Sequence, residues 1–236
     1  MRLDGVHVGC EQCKVRMQSV FNALNTEELQ ELTQHKSCAQ YKKGQVIFNE
    51  QGLPLGLFCV NSGKIKLSKT GFDGKEQILR LSKAGDVLGY RALLANERYH
   101  CSAVAVEDSM ICVIDKGYFL DSTKQNNKLL FEMVRKMSSD LKTAEDHIVS
   151  LSQKNVRERM AEALLFIKAT YGFAEDGQTL NVVLSREEIA DFVGTSTETA
   201  IRLLSEFNHD KIIELVGKKI KLVNLDKLIK TANLND

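Results

Sequence analysis

The sequence predicts an α+β chain in three successive parts. These are an antiparallel β-barrel of jelly-roll type, one long helix, and a C-terminal unit of short helices with a β wing. Three observations carry the prediction. Eight of the fifteen glycines fall between Gly44 and Gly89. A heptad pattern runs from Leu130 to Leu151, and Gly194 separates two short helical patterns.

Short β-like runs stand among those glycines: Val46-Ile47-Phe48, Leu57 to Val60, Lys64 to Leu67 and Gln77 to Leu81, with Ser109 to Ile114 following. Turn signals at such short intervals mark a small antiparallel barrel or sandwich. Pro54, the only proline, falls in a loop, where a missing N–H does no harm.

Next the apolar period changes. Leu130, Val134, Met137, Leu141, Ala144, Ile148 and Leu151 recur at alternating intervals of four and three residues. Such an a/d seam, with charged residues on the other faces, predicts a parallel homodimer of like helices. The alternative is one amphipathic helix packed on its own barrel, with Phe131 and Met133 offering a second apolar face.

The C-terminal unit opens with a helix at Asn155-Val156 that ends near Gly172. Ser185 and Glu188 have capping-box spacing ahead of a helix whose inner face is Ile189, Ala190 and Val193. Gly194 suits a left-handed turn. A second helix opens at Ser196 and buries Thr199, Ala200, Leu203, Leu204 and Phe207. Two short helices about a glycine turn are the helix-turn-helix pattern. The runs Ile212 to Leu215 and Lys219 to Leu222 read as its wing.

Composition sets limits but names no partner. The chain has 236 residues, 43% apolar and 27% charged, which excludes a mostly disordered protein. Its formal net charge is +1, and residues 156–236 hold 11 basic against 13 acidic residues. A nucleic-acid partner must therefore be argued from local geometry. No apolar run is long enough to span a bilayer, and the MRLDGVHVGCEQC start lacks a leader's apolar stretch. The expected location is the cytoplasm, with no membrane partner. The five histidines are scattered and no phosphate loop occurs, so no enzymatic activity is expected.

With the core face of the second helix assigned, Thr197, Glu198, Ile201 and Arg202 remain outward. Placed in a major groove, Glu198 would accept from a cytosine amino group and Arg202 would donate twice to guanine. Ser196 and Thr199 open the same helix, and Lys218, Lys219 and Lys221 on the wing would hold phosphates. The plainer reading is a surface ion pair between Glu198 and Arg202, four residues apart.

Barrel, heptad helix and winged helix-turn-helix, in that order, resemble the CRP/FNR family of bacterial transcription regulators. The strongest stretch is Gly194-Thr195-Ser196-Thr197-Glu198-Thr199-Ala200-Ile201-Arg202-Leu203-Leu204, similar to the family's recognition helix, with Ile201 where the FNR branch usually has serine. Asn61-Ser62-Gly63-Lys64 and Gly85-Asp86-Val87-Leu88-Gly89 match the barrel. The resemblance implies a homodimer on a palindromic double-stranded operator, with RNA polymerase as a further partner.

The same resemblance implies what the barrel senses. Cyclic-nucleotide members keep a Gly-Glu pair and an Arg-Ser or Arg-Thr pair, where this chain has Gly89-Tyr90 and Cys101-Ser102. Without the guanidinium a cyclic phosphate lacks its bidentate partner, which argues against cyclic AMP. FNR-like members hold a 4Fe-4S cluster on three N-terminal cysteines and one late barrel cysteine. Cys10, Cys13 and Cys112 match three of these, but Ser19 stands where the third is expected. Hydroxyl oxygen is a poor ligand for a soft cluster, so Cys38 is the expected fourth ligand, with Cys59 and Cys101 read as structural thiols. The alternatives are a thiol switch or zinc, a regulator sensing haem-bound gas, an organic ligand or nothing, and a cyclic-nucleotide-binding-like barrel acting as an interaction module.

Overall fold

The structure is a computed structural model and describes residues 9–234, so the start of the MRLDGVHVGCEQC stretch lies outside it. The chain forms two compact units. One holds the chain up to Lys69 together with Ser82–Lys142, and the other holds Thr70–Leu81 and the chain from Thr143 onward.

The first unit opens with three short 3-10 turns, Cys10–Gln12, Arg16–Gln18 and Val20–Ala23, followed by helix α1, Thr26–Gln34. Asn25 caps α1 in a reciprocal box with Glu28. The strands are β1 Lys36–Tyr41, β2 Val46–Phe48, β3 Gly56–Ser62, β4 Lys64–Thr70, β5 Glu76–Lys83, β6 Val87–Leu88, β7 Ser102–Ala105 and β8 Ser109–Asp115, with helix α2, Tyr90–Ala95, before β7. They form two four-stranded sheets in the orders β1-β8-β3-β6 and β2-β7-β4-β5. The expected barrel is thus a sandwich whose two sheets do not close on each other, because β1 and β6 end one sheet and β2 and β5 the other.

Alternation along the strands divides the apolar residues between two cores. Phe58, Val60 and Ile111 of one sheet meet Phe48, Ile65, Leu67 and Ala103 of the other. The opposite face of the first sheet, with Leu57 and Ile114, is covered by Cys10, Phe21 and Leu29 of the N-terminal segment. Gly56 permits the close approach of β3 to β8, since a Cβ there would stand 2.2 Å from the Ile114 carbonyl oxygen.

Helix α3, Lys116–Gln125, leads into α4, Asn127–Gln153. Leu129 and Met133, each 1% exposed, join the core beneath the N-terminal segment. The heptad residues lie on another face: Leu141 is 60% and Ile148 64% exposed, and Leu130, Val134, Met137, Ala144 and Leu151 are exposed too. Met133 thus supplies the second buried face read from the sequence, whereas Phe131 stays exposed beneath the Arg135 guanidinium.

The second unit continues with α5 Val156–Tyr171, α6 Arg186–Val193 and α7 Thr197–His209. The hairpin β9 Ile213–Val216 and β10 Lys219–Leu222 follows, then α8 Leu225–Thr231. Met160, Leu164, Ile189, Leu204, Phe207 and Leu228 are buried in it. Ser185 and Glu188 form the expected capping box, and Gly194 takes φ +72° at the turn.

Candidate functional site: a helix-turn-helix face and a cysteine cavity

The turn between α6 and α7 is held from behind. Arg159 of α5 donates from Nε to the Val193 carbonyl, from Nη2 to the Gly194 carbonyl and from Nη1 to the Lys154 carbonyl. One guanidinium fork thereby satisfies carbonyls left open at helix ends. No spacing rule reveals Arg159 in the sequence, because its partners are backbone atoms.

Ser196 caps α7, its hydroxyl accepting from the Thr199 N–H at 3.2 Å and lying 3.1 Å from Thr199 Oγ1. Both residues have structural roles at the helix start, and Thr199 is partly rather than fully buried. Glu198, Ile201 and Arg202 are exposed, and Thr197 is partly so. The Glu198 carboxyl is held below the ordinary range by its own backbone N–H and the Ser196 hydroxyl, so it is an anion poised as an acceptor. Among the described residues no ion pair joins Glu198 to Arg202. Arg202 instead bonds Glu206, which also accepts from Arg157, and Arg157 bonds Asp210 in turn. This network aligns Arg202 along the helix while leaving its side chain 63% exposed. Lys218 and Lys219 are exposed at the wing's tip, whereas Lys221 lies 3.8 Å from Glu214.

The second candidate site lies in the first unit, against the face of the sheet covered by the N-terminal segment. Cys10 and Cys13 sit at the two ends of one tight turn, closed by the Cys13 N–H to the Cys10 carbonyl at 3.3 Å. The Cys10 N–H is anchored to Thr33 Oγ1 at 2.9 Å. In the sheet Cys112 is opposite Cys38 on one side and Cys59 on the other, making a single cross-strand row. Cys10, Cys13, Cys59 and Cys112 line one cavity of about 50 Å³, with Arg16 and Lys36 also at its wall. Cys38 stands outside that lining and forms a disulfide with Cys112. Ser19 lines the cavity, yet its hydroxyl donates to the Arg16 carbonyl and accepts from the Phe21 N–H, capping the third 3-10 turn. Burial pushes the Cys59 thiol pKa upward, and the neighbouring Cys10 and Cys13 sulfurs also raise it, while Lys36 opposes them. Cys101 belongs to the core between the sheets.

Two family models match the chain: a cyclic nucleotide-binding domain over residues 38–126 and a Crp-like helix-turn-helix domain over residues 158–231. The fumarate and nitrate reduction regulatory protein of Escherichia coli K12 is 31% identical over 235 residues, spanning 97% of this chain and 92% of that protein. The chain belongs to the CRP/FNR family. The Vibrio cholerae protein of the same name is 29% identical, spanning 98% and 93% of the two chains. A CRP/FNR-family transcriptional regulator from Thermus thermophilus superposes with a TM-score of 0.71 at 25% identity, covering 85% of this chain and all of that one. FixK2 from Bradyrhizobium japonicum has a TM-score of 0.75 at 24% identity over 85% of this chain and 99% of its own, a likeness of fold.

As a CRP/FNR-family member the protein is a DNA-binding transcription regulator, not an enzyme. Among the described residues no helix is long and apolar enough to cross a membrane. Where cyclic-nucleotide members would carry a carboxylate, Tyr90 directs its hydroxyl to Asp140 of α4. Nearby, Arg91 bonds His100 and Glu97, and Arg98 donates to the Gln51 carbonyl. Among the described residues no three metal-ligating groups already stand at ligand distance. The cysteine cavity gathers suitable donors without holding them in a closed coordination geometry.

Proposed function

We propose that this regulator couples a redox or oxygen signal in its first 126 residues to operator binding by residues 155–236, through a dimerisation helix at 127–154. The observation that carries the reading is that Cys10 and Cys13 reach the same cavity as Cys112, about a hundred residues later in the chain. Soft thiolates beside Arg16 and Lys36 fit an anionic iron–sulfur cluster, and the buried Arg16 Nε has no hydrogen-bond partner among the described residues. A 4Fe-4S cluster there would supply iron–sulfur bonds that oxygen breaks.

The protein's own residues then carry the change. Cys10 shares one core with Phe21, Leu24, Leu129 and Met133, so the segment bearing the cysteines and the buried face of α4 belong to one packed cluster. Shifting that segment biases the exposed heptad face, Leu130 to Leu151, between arrangements of two copies. In the dimer, Glu198 and Arg202 of each copy read a half-site of a palindromic operator, while Lys218 and Lys219 hold phosphates. RNA polymerase is the further partner in this reading, and the cytoplasm, where the DNA is, is its location.

The experiment is an anaerobic purification followed by gel shift on genomic fragments. A brown protein that bleaches in air and loses DNA binding as it bleaches is the expected result. A colourless, iron-free protein with unchanged DNA binding would sink the cluster reading. One second reading has its own observation: the Cys38–Cys112 disulfide favours a metal-free thiol switch. In that case a dithiol alone, with iron chelated, alters DNA binding.

A further inference from the structure

Ser19 stands where the family resemblance leads one to expect a third N-terminal cysteine, and the sheet register offers another sulfur in its place. We propose that Cys59 completes a four-thiolate centre with Cys10, Cys13 and Cys112, and that Cys38 stands outside it as the alternative partner of Cys112. This rests on the cluster reading above.

Four observations support it independently. First, Cys59 lines the cavity with the other three, and Cys38 does not. Second, β8 lies between β1 and β3, so Cys112 has a sulfur-bearing residue directly opposite on each side. Opposed residues of an antiparallel pair share a face with Cβ atoms about 5 Å apart, within reach of a common metal centre or of a disulfide. Third, the Ser19 hydroxyl is engaged in capping its own turn. Fourth, the next residue on the same face of β3, Asn61, donates from Nδ2 to Cys13 Sγ at 3.4 Å. Amide donors to ligand sulfur are the usual outer support of iron–sulfur sites. Asn61 thus binds the turn carrying Cys10 and Cys13 to the strand carrying Cys59.

Assembly requires Cys112 to leave Cys38. A dithiol reductant breaks the S–S bond, delivering two electrons and two protons to give two thiols, and is itself oxidised to a disulfide. Metal then displaces the thiol protons of the set, including that of Cys59. The sulfur of Cys112 cannot serve both partners at once, so the disulfide and the four-thiolate centre exclude each other.

The test uses the full chain, reduced with dithiothreitol and reconstituted anaerobically with ferrous iron and sulfide. Iron, acid-labile sulfide and visible absorbance per chain are measured on the parent, Cys13→Ser, Cys59→Ser, Cys59→Ala, Cys38→Ser, Ser19→Ala and Cys101→Ser. The expected result is that both Cys59 variants fall to the level of Cys13→Ser, while Cys38→Ser, Ser19→Ala and Cys101→Ser load as the parent does. Circular dichroism on the unloaded chains confirms folding, and Cys59→Ala avoids placing a hydroxyl in the apolar site. Full loading of either Cys59 variant, or loss of loading in Cys38→Ser equal to that in Cys13→Ser, overturns the proposal. A parent that takes up no iron and sulfide overturns the cluster reading instead. Cobalt(II) added to the reduced chain then decides the thiolate set alone. A thiolate-to-cobalt band that needs Cys59 but not Cys38 upholds the set, and any other outcome overturns it.

Discussion

The side-chain amide of Asn126 donates to the Glu28 carboxylate at 2.6 Å, joining residues 98 positions apart. Each of the two also caps a helix: Glu28 closes the box at the start of α1, and Asn126 Oδ1 accepts from the Lys128 and Leu129 N–H groups at the start of α4. The start of α1 is therefore fastened to the root of the heptad helix by a polar clasp as well as by apolar packing. Asn126→Ala should lower unfolding stability by about 1–2 kcal/mol, the cost of a lost cap, read by urea denaturation. An unchanged midpoint would remove the clasp from the account.

Leu141→Asp tests the exposed face of α4. In a single chain Leu141 is 60% exposed, so the substitution should leave monomer stability nearly unchanged. In a paired seam it buries two unpaired carboxylates at several kcal/mol, enough to dissociate a micromolar dimer. Sedimentation velocity should show a folded monomer. A persistent dimer would place the interface elsewhere.

Arg202→Ala and Lys219→Ala should separate reading from holding. Arg202→Ala is expected to cost about 1–3 kcal/mol on the specific operator and to relax preference at one guanine per half-site. Lys219→Ala should weaken all sequences alike and reduce the salt slope by about one charge per wing. Competition gel shifts over a salt series measure both. Equal losses on specific and random DNA for Arg202→Ala would refute the guanine contact.

Arg159→Lys keeps the charge but loses the fork that closes the turn before α7. Charge-assisted hydrogen bonds contribute about 1.5–3 kcal/mol each, so a loss in that range is expected in thermal unfolding of the full chain. DNA affinity should fall with it, because the turn sets the direction of α7. Lost affinity at unchanged stability would show that Arg159 touches DNA itself.

Asp176 gives a pH prediction. Hydrogen bonds from the Thr179 hydroxyl and N–H, then from the Gln178 N–H, lower its pKa to about 2 from an ordinary 3.8. A depressed folded-state pKa stabilises the fold above the unfolded pKa, and that contribution is lost as pH falls from about 4 through about 2. Thr179→Val should move the carboxyl's NMR titration midpoint up toward 3.8. A midpoint that stays near 2 would assign the shift to other neighbours.

Sequence periodicity reached the parts of the fold whose determinants are local. The seam of α4, the Ser185–Glu188 box and the Gly194 turn depend on residues a few positions apart. β1 escaped because Lys36-Ser37-Cys38-Ala39-Gln40-Tyr41 has no apolar alternation, being half-covered on an edge. For the candidate DNA face the outward residues of α7 were legible, but the Arg202–Glu206–Arg157 network was not, since it joins two helices. The cysteine cavity was legible only in part. Cys10 and Cys13 advertise themselves by spacing, whereas Cys59 resembles any thiol in a strand. Its significance depends on the β3–β8 register, which no local pattern records.

Leu129 and Leu130, like Met133 and Val134, are successive residues about 100° apart around α4, one of each pair sealed in the core and the other bare. A helix with two adjoining sticky edges behaves like a key cut along both sides. It cannot roll about its axis to suit a partner without tearing apolar side chains from its own domain. The freedom that remains is tilt and slide. Over 27 residues, about 40 Å of helix, a tilt of only about 5° would carry the far end about 3.5 Å. A helix gripped at one end in this way has a gear ratio: a small adjustment beside its root would become a displacement of atomic size at its tip.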